Sequence, residues 1–144
     1  MTVTLQTGFE LVHVIYDYWD QPRSGVADYH GEPHWFENIF DEEHDTYSDD
    51  YWLTRLTPEE FASAKGQSEM FLRWRHAFDR GEVDISSHPT LPQDAERYEK
   101  LKNQIQTAIK SKTAQRFKVP GKIILLGPPT EKREMATFQV QWSG

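Results

Sequence analysis

The stretch YDYWDQPRSG, Tyr16 to Gly25, gathers two tyrosines, a tryptophan, two aspartates and an arginine around one turn. Such a set can hold a polar ligand. Asp17 or Asp20 paired with Arg23 would give a charge-assisted contact across the turn, with Tyr16, Trp19 and Tyr29 walling a small pocket. The same six residues also suit a plain hairpin, in which Asp20 accepts hydrogen bonds from the turn backbone, Arg23 neutralises it and the rings pack across strands. An Arg23→Ala exchange that removes binding at little cost in stability marks the first case; equal loss of both marks the second.

A different chemistry would use carboxylates and a histidine. Asp17, His34 and Glu37, with Asp20 and Asp28 nearby, could converge as the acid–base groups of a small hydrolase-like enzyme. His34 and Glu37 stand an odd number of strand positions apart, so their side chains point to opposite faces of a strand and do not ligate one ion easily. The acidic run DEEHDTYSDDYW puts oxygens at Asp41, Glu43, Asp45 and Asp49, the first, third, fifth and ninth places of a calcium loop. It fails where that loop is strict, with Thr46 where a glycine must turn and Trp52 where a bidentate carboxylate must close. His30 and His34 bracket a turn, and His13, His44, His76 and His88 lie on separate elements and form no metal-ligand spacing. The chain has no nucleophile elbow, phosphate loop or dinucleotide fingerprint, so no cofactor and no metal site is expected.

These candidates need a frame. Leu11–Trp19 is rich in β-branched and aromatic residues and predicts a strand, stopped by DQPRSG. VADYH predicts a second strand and HWFENIF a third, giving an N-terminal meander. In the first strand Val12, Val14, Tyr16 and Tyr18 share a face; in the third, His34, Phe36, Asn38 and Phe40 oppose Trp35, Glu37, Ile39 and Asp41. Neither face is purely polar, so the sheet must be covered on both sides or use one as a binding surface. YWLTRL predicts a fourth strand. Thr57 as N-cap, Pro58 at the first position and Glu60 in a capping box open a helix that Gly81 ends. A second helix spans Asp94 to about Lys112, with Tyr98, Leu101, Ile105 and Ile109 on one stripe. QRFKV and KIILL, split by Pro120 and Gly121, and MATFQVQW, in which Ala136, Phe138, Val140 and Trp142 alternate, predict the C-terminal strands. The expected fold is a single α+β domain over 1–144, an antiparallel sheet of about five to seven short strands with two helices packed on one face.

Charge narrows the partners. Residues 1–60 hold 14 acidic against two basic side chains, while 97–144 hold ten basic against three acidic, around a net charge of −7. The acidity opposes nucleic-acid binding, because phosphate contacts need cations. The acidic half suits a basic protein partner or a small polar ligand, and opposite poles permit salt-sensitive self-association. Absence of cysteine excludes disulfides and thiol chemistry. With no apolar run long enough for a membrane helix and no exported leader, a cytoplasmic protein with no membrane partner is expected.

YDYWDQPRSGVADYHGEPHWFE, FDEEHDTYSDDYWL, FLRWRHAFDRGEV and SHPTLPQD together resemble a family of small uncharacterised bacterial proteins. The resemblance covers most of the chain up to the second helix. It implies a bacterial source and transfers no activity, substrate or catalytic residue. From the residues themselves, the expected function is a binding or interaction module that uses the aromatic, acidic meander as its recognition surface, with the hydrolase-like enzyme as the alternative.

Overall fold

The computed structural model describes residues 5–127 and 137–143. Six strands and two helices follow in the order β1 (Glu10–Trp19), β2 (Gln21–Tyr29), β3 (Glu32–Asp41), β4 (Thr46–Arg55), α1 (Pro58–Asp79), α2 (Ala95–Ser111), β5 (Phe117–Gly127) and β6 (Thr137–Trp142). Every strand is antiparallel to its neighbours, and β6 returns to β1 through the pairs Glu10↔Val140 and Leu11↔Gln139. The α+β class and the antiparallel sheet of five to seven strands are as expected, with six strands, but the sheet closes into an up-and-down barrel. Closure removes the edges of the sheet and turns one face into an interior. The strands belong to one compact unit, made of the chain through Thr57 and from Lys112 onward; Pro58–Ser111 form a second.

The interior is filled by Val12, Ala27, Phe36, Tyr51, Leu53, Val119, Ile123 and Val140, with Ile15, Tyr29, Phe117, Phe138 and Trp142 packed against them. Every strand contributes to this cluster, so the core forms only when the ring of strands is complete. Val140 and Phe138 alternate as expected, while Ala136 lies outside the described residues.

The faces of β1 depart from a strict period of two. Val12 pairs with Ala27 and Val14 with Val26, consecutive residues of β2 that must face opposite ways, so Val12 points inward and Val14 does not. Register shifts after Val12, Ile15 and Asp17 rotate the strand and bring Ile15 to the core instead. Gly25 is what allows the chains to meet at this irregular place: a Cβ on it would lie 2.0 Å from the Val14 carbonyl oxygen. Gly121 has a related role, because a Cβ there would lie 2.6 Å from the Trp142 ring. It does not split the C-terminal region into two strands; β5 runs through Pro120 and Gly121 unbroken.

DQPRSG ends β1 at Trp19 as expected, yet all of it but Asp20 is itself strand. Asp20 alone makes the turn, with φ of 63°, and Pro22 and Gly25 lie within β2. A proline is tolerated at Pro22 because it pairs with Tyr18 of β1 and has no ladder partner in β3. The acidic run after β3 is mostly strand as well. Only residues 42–45 turn, and β4 starts at Thr46.

In the helical unit, α1 starts at Pro58 and runs unbroken through Gly66. Its end is closed by hydrogen bonds from Gly81 N–H to the Phe78 carbonyl and Glu82 N–H to the Ala77 carbonyl. Trp74 is buried, stacks against Phe71 and Phe78, and donates its indole N–H to Ser87 Oγ at 2.8 Å. Arg73 grips Asp94 with two bonds of 3.0 Å just before α2, and this contact raises the arginine pKa.

Candidate functional site

The pairing of β2 with β3 runs from Tyr29↔Glu32 to Ser24↔Glu37 and no further. Beyond it, β1–β2 continues to Trp19↔Gln21 and β3–β4 to Asp41↔Thr46. Two hairpins thus part company above Ser24 and Glu37, because each keeps its own ladder and none joins them. The space between them is a cleft of about 620 Å³, within the roughly 300–1,000 Å³ range of small-ligand sites. Asp17, Tyr18, Trp19, Arg23 and Ser24 line it from the first hairpin, and Trp35, Glu37, Asn38 and Tyr47 from the second.

Arg23 clasps the two hairpins. Its Nε donates to the Trp19 carbonyl at 2.8 Å, its Nη1 donates to Asn38 Oδ1 at 2.6 Å, and its guanidinium lies 3.9 Å above the Tyr47 ring. Asn38 in turn donates to the carbonyls of Ser48 and Asp50, where the β3–β4 register shifts. Among the described residues neither Asp17 nor Asp20 forms an ion pair with Arg23, so the pairing expected across the turn is replaced by this clasp. The turn itself is closed by the Arg23–Trp19 bond and not by Asp20.

The floor of the cleft belongs to a cross-strand row on the outer face, Asp17↔Ser24↔Glu37↔Trp52↔Lys118. Ser24 Oγ donates to Asp17 Oδ2 at 2.7 Å, and Trp35 Nε1 donates to Glu37 Oε1 at 2.7 Å. Each bond orients a carboxylate and leaves its second oxygen to accept elsewhere. Trp52 continues the row beneath two cations, with the Arg116 guanidinium 4.0 Å and the Lys118 ammonium 5.5 Å from its ring. At the rim, Trp19 is 69 % and Tyr18 59 % exposed. Tyr16 stands behind, edge-on to Trp35 with centroids 4.8 Å apart.

Three of the six residues singled out in the sequence, Asp17, Trp19 and Arg23, line the cleft. Tyr16 supports one wall, and Asp20 makes the turn beside it. Tyr29 is not brought to them. Its ring packs among His34, Phe117 and Trp142 on the interior side. Tyr18, Ser24, Trp35, Asn38 and Tyr47 were not singled out, because what unites them is the parting of two hairpins. The sequence carried one usable signal, the placement of Trp35 and Glu37 on the same face of a strand.

Of the acid–base set, Asp17 and Glu37 both line the cleft and His34 does not. His34 is buried beside Tyr29 and Phe117, and its Nδ1 lies 2.8 Å from the Glu32 carbonyl. A carbonyl can only accept, so Nδ1 carries the proton of the neutral ring. Burial lowers the pKa of His34, with the Glu32 hydrogen bond opposing that shift. Asp28 is held elsewhere, 2.8 Å from His13 Nε2.

A second depression, of about 490 Å³, is lined by Asp49, Tyr51, Gly121, Lys122 and Gln141 among others. Burial raises the pKa of the Tyr51 phenol there. The calcium-loop positions do not assemble, since Asp49 lies on β4 at this depression and not in the turn. Asp41, Glu43 and His44 do bring potential ligand atoms within 4.8 Å of one another. Asp41 already accepts from the backbone N–H groups of Glu43 and His44 and contacts His44 Nδ1 at 2.7 Å, which accounts for the cluster as a turn. No helix among the described residues is long and apolar enough to cross a membrane. Comparison of the chain with known protein families, curated proteins and solved structures finds no match.

Proposed function

We propose that the protein is a small binding module whose recognition site is the cleft between the β1–β2 and β3–β4 hairpins, taking a protein segment or a small polar ligand. The observation that carries this is the convergence of two oriented carboxylates, an amide-tethered guanidinium and exposed aromatic rings on one cleft of ligand size. Polar groups already oriented by neighbours lose little freedom on binding, and exposed Trp and Tyr provide apolar area at low entropic cost. A cytoplasmic setting, a bacterial source and salt-sensitive self-association belong to the same proposal. A thermal-unfolding screen against metals, nucleotides, metabolites and peptides tests it, with Trp19→Ala as the control. Saturable stabilisation of the parent chain, lost in the variant, supports the reading. Stabilisation that survives in Trp19→Ala moves the site elsewhere.

A hydrolase-like enzyme is the second reading, favoured by the presence of Asp17 and Glu37 in one cleft. It predicts turnover of an ester, glycoside or phosphoester that Glu37→Gln abolishes while the fold stays intact.

A further inference from the structure

We propose that the occupant of this cleft is a lysine or arginine side chain presented by a segment of another protein. The inference rests on the cleft being the recognition site and adds the chemistry of what enters it.

Charge in the cleft is unbalanced. Asp17 and Glu37 each accept one hydrogen bond from a neutral group, Ser24 and Trp35, and no lysine or arginine forms an ion pair with either among the described residues. The one cation lining the cleft, Arg23, is engaged with the Trp19 carbonyl, Asn38 and the Tyr47 ring. By sequence, residues 16–50 carry eleven acidic side chains against that single arginine. Of these, Asp28 and Glu32 are held by His13 and Arg55 away from the cleft, while the nearest cations of β5 and its approach, Lys118 and Arg116, are engaged over Trp52. A neutral ligand would replace water on two carboxylates with uncharged donors and leave their charge uncompensated, and an anionic one would add repulsion. A cation restores the balance in the place where the field is focused.

Aromatic walls favour the same occupant, because the negative ring faces of Trp and Tyr attract ammonium and guanidinium groups. The protein already uses this contact in the barrel, with Arg23 over Tyr47 and both Arg116 and Lys118 over Trp52. A protein segment fits better than a free polyamine because the apolar surface extends past the cleft. Tyr18, Trp19 and Phe40 are all exposed at the two hairpin ends. Trp and Tyr at such a rim are the residues that anchor protein partners.

The test uses the whole chain and Trp fluorescence with NMR shifts as readout. Four probes are titrated: a capped hexapeptide carrying two arginines, the same peptide with glutamines or with glutamates in their place, and spermine. The arginine peptide is expected to bind about tenfold more tightly than the glutamine peptide, and to weaken about tenfold in Asp17→Asn and in Glu37→Gln. Thermal melts of both variants verify that they fold. A single change of equal charge at the hairpin tip, Glu42→Gln, is expected to weaken it less than about threefold, as general screening would. Equal weakening by the tip variant overturns the specific site. Spermine binding as tightly as the peptide overturns the protein partner. Glutamine or glutamate peptides that bind as well, with loss in Trp19→Ala, overturn the basic occupant while leaving the binding module standing. No binding by any probe overturns the inference, and the binding module is then decided by its own ligand screen.

Discussion

Trp19 and Tyr29 lie at opposite ends of one hairpin, in a single acidic and aromatic stretch, and they have opposite fates. Tyr29 sits where β2 is paired with β3, opposite Glu32, and its ring is packed against the barrel core. Trp19 sits where β2 has lost β3, and its indole is largely in solvent beside the cleft. Both are aromatic; what differs is whether the β2–β3 ladder is present beside them. The pairing of strands therefore sorts aromatic side chains into structure and recognition, and residues in the paired half should control stability while those in the parted half should control binding.

The strongest way to break this division is at Gly25, where the two halves meet. Gly25→Val forces a Cβ onto the Val14 carbonyl and is expected to cost about 4 kcal/mol or more, read as loss of a cooperative thermal transition. A stable Gly25→Val barrel would show that the tight β1–β2 approach is dispensable. Tyr29→Ala comes next, with an expected cost of about 2–3 kcal/mol in denaturant unfolding for a half-buried ring. A cost as small as that of an exposed ring would move Tyr29 back to the site.

A smaller effect distinguishes the halves by pH. Burial holds the folded-state pKa of His34 below its ordinary 6.5, so on acidification the unfolded chain takes up this proton before the folded one. The stability involved is whole above about pH 6.5 and is lost as pH falls through the folded-state value. The melting temperature should fall over that window, and less steeply in His34→Gln; identical slopes would remove His34 from the balance. Trp19→Ala should do least to stability, within about 0.5 kcal/mol, while abolishing ligand stabilisation.

Local chemistry was legible in the sequence. The start of α1 at Pro58, its end just before Gly81 and the alternation of β3 from His34 to Glu37 follow from capping, turn and period rules that act over a few residues. The barrel was not legible, because its closure depends on Glu10 and Leu11 finding Val140 and Gln139. Bulges hid the faces of β1, since a single shift moves every later side chain across the sheet. The site was half legible for the same reason. Asp17, Trp19 and Arg23 lie in one short stretch, but Asn38 and Tyr47 join them only through the parting of two hairpins. Tyr29 was drawn in by composition and removed by packing.

The seam between β1 and β6 joins positions about 130 residues apart, and the chain entropy lost in closing a loop rises with its length. The meander β1–β4, by contrast, is built from consecutive hairpins whose pairs are close in sequence. Contacts of short separation form early in folding and distant ones late. The order of assembly is then expected to run from the two cleft-forming hairpins to the seam, so that the mouth of the cleft takes shape on a ribbon still open at its far side. Pulse-labelled amide exchange, with protection of β2 and β3 preceding that of β6, is the kinetic trace this topology should leave.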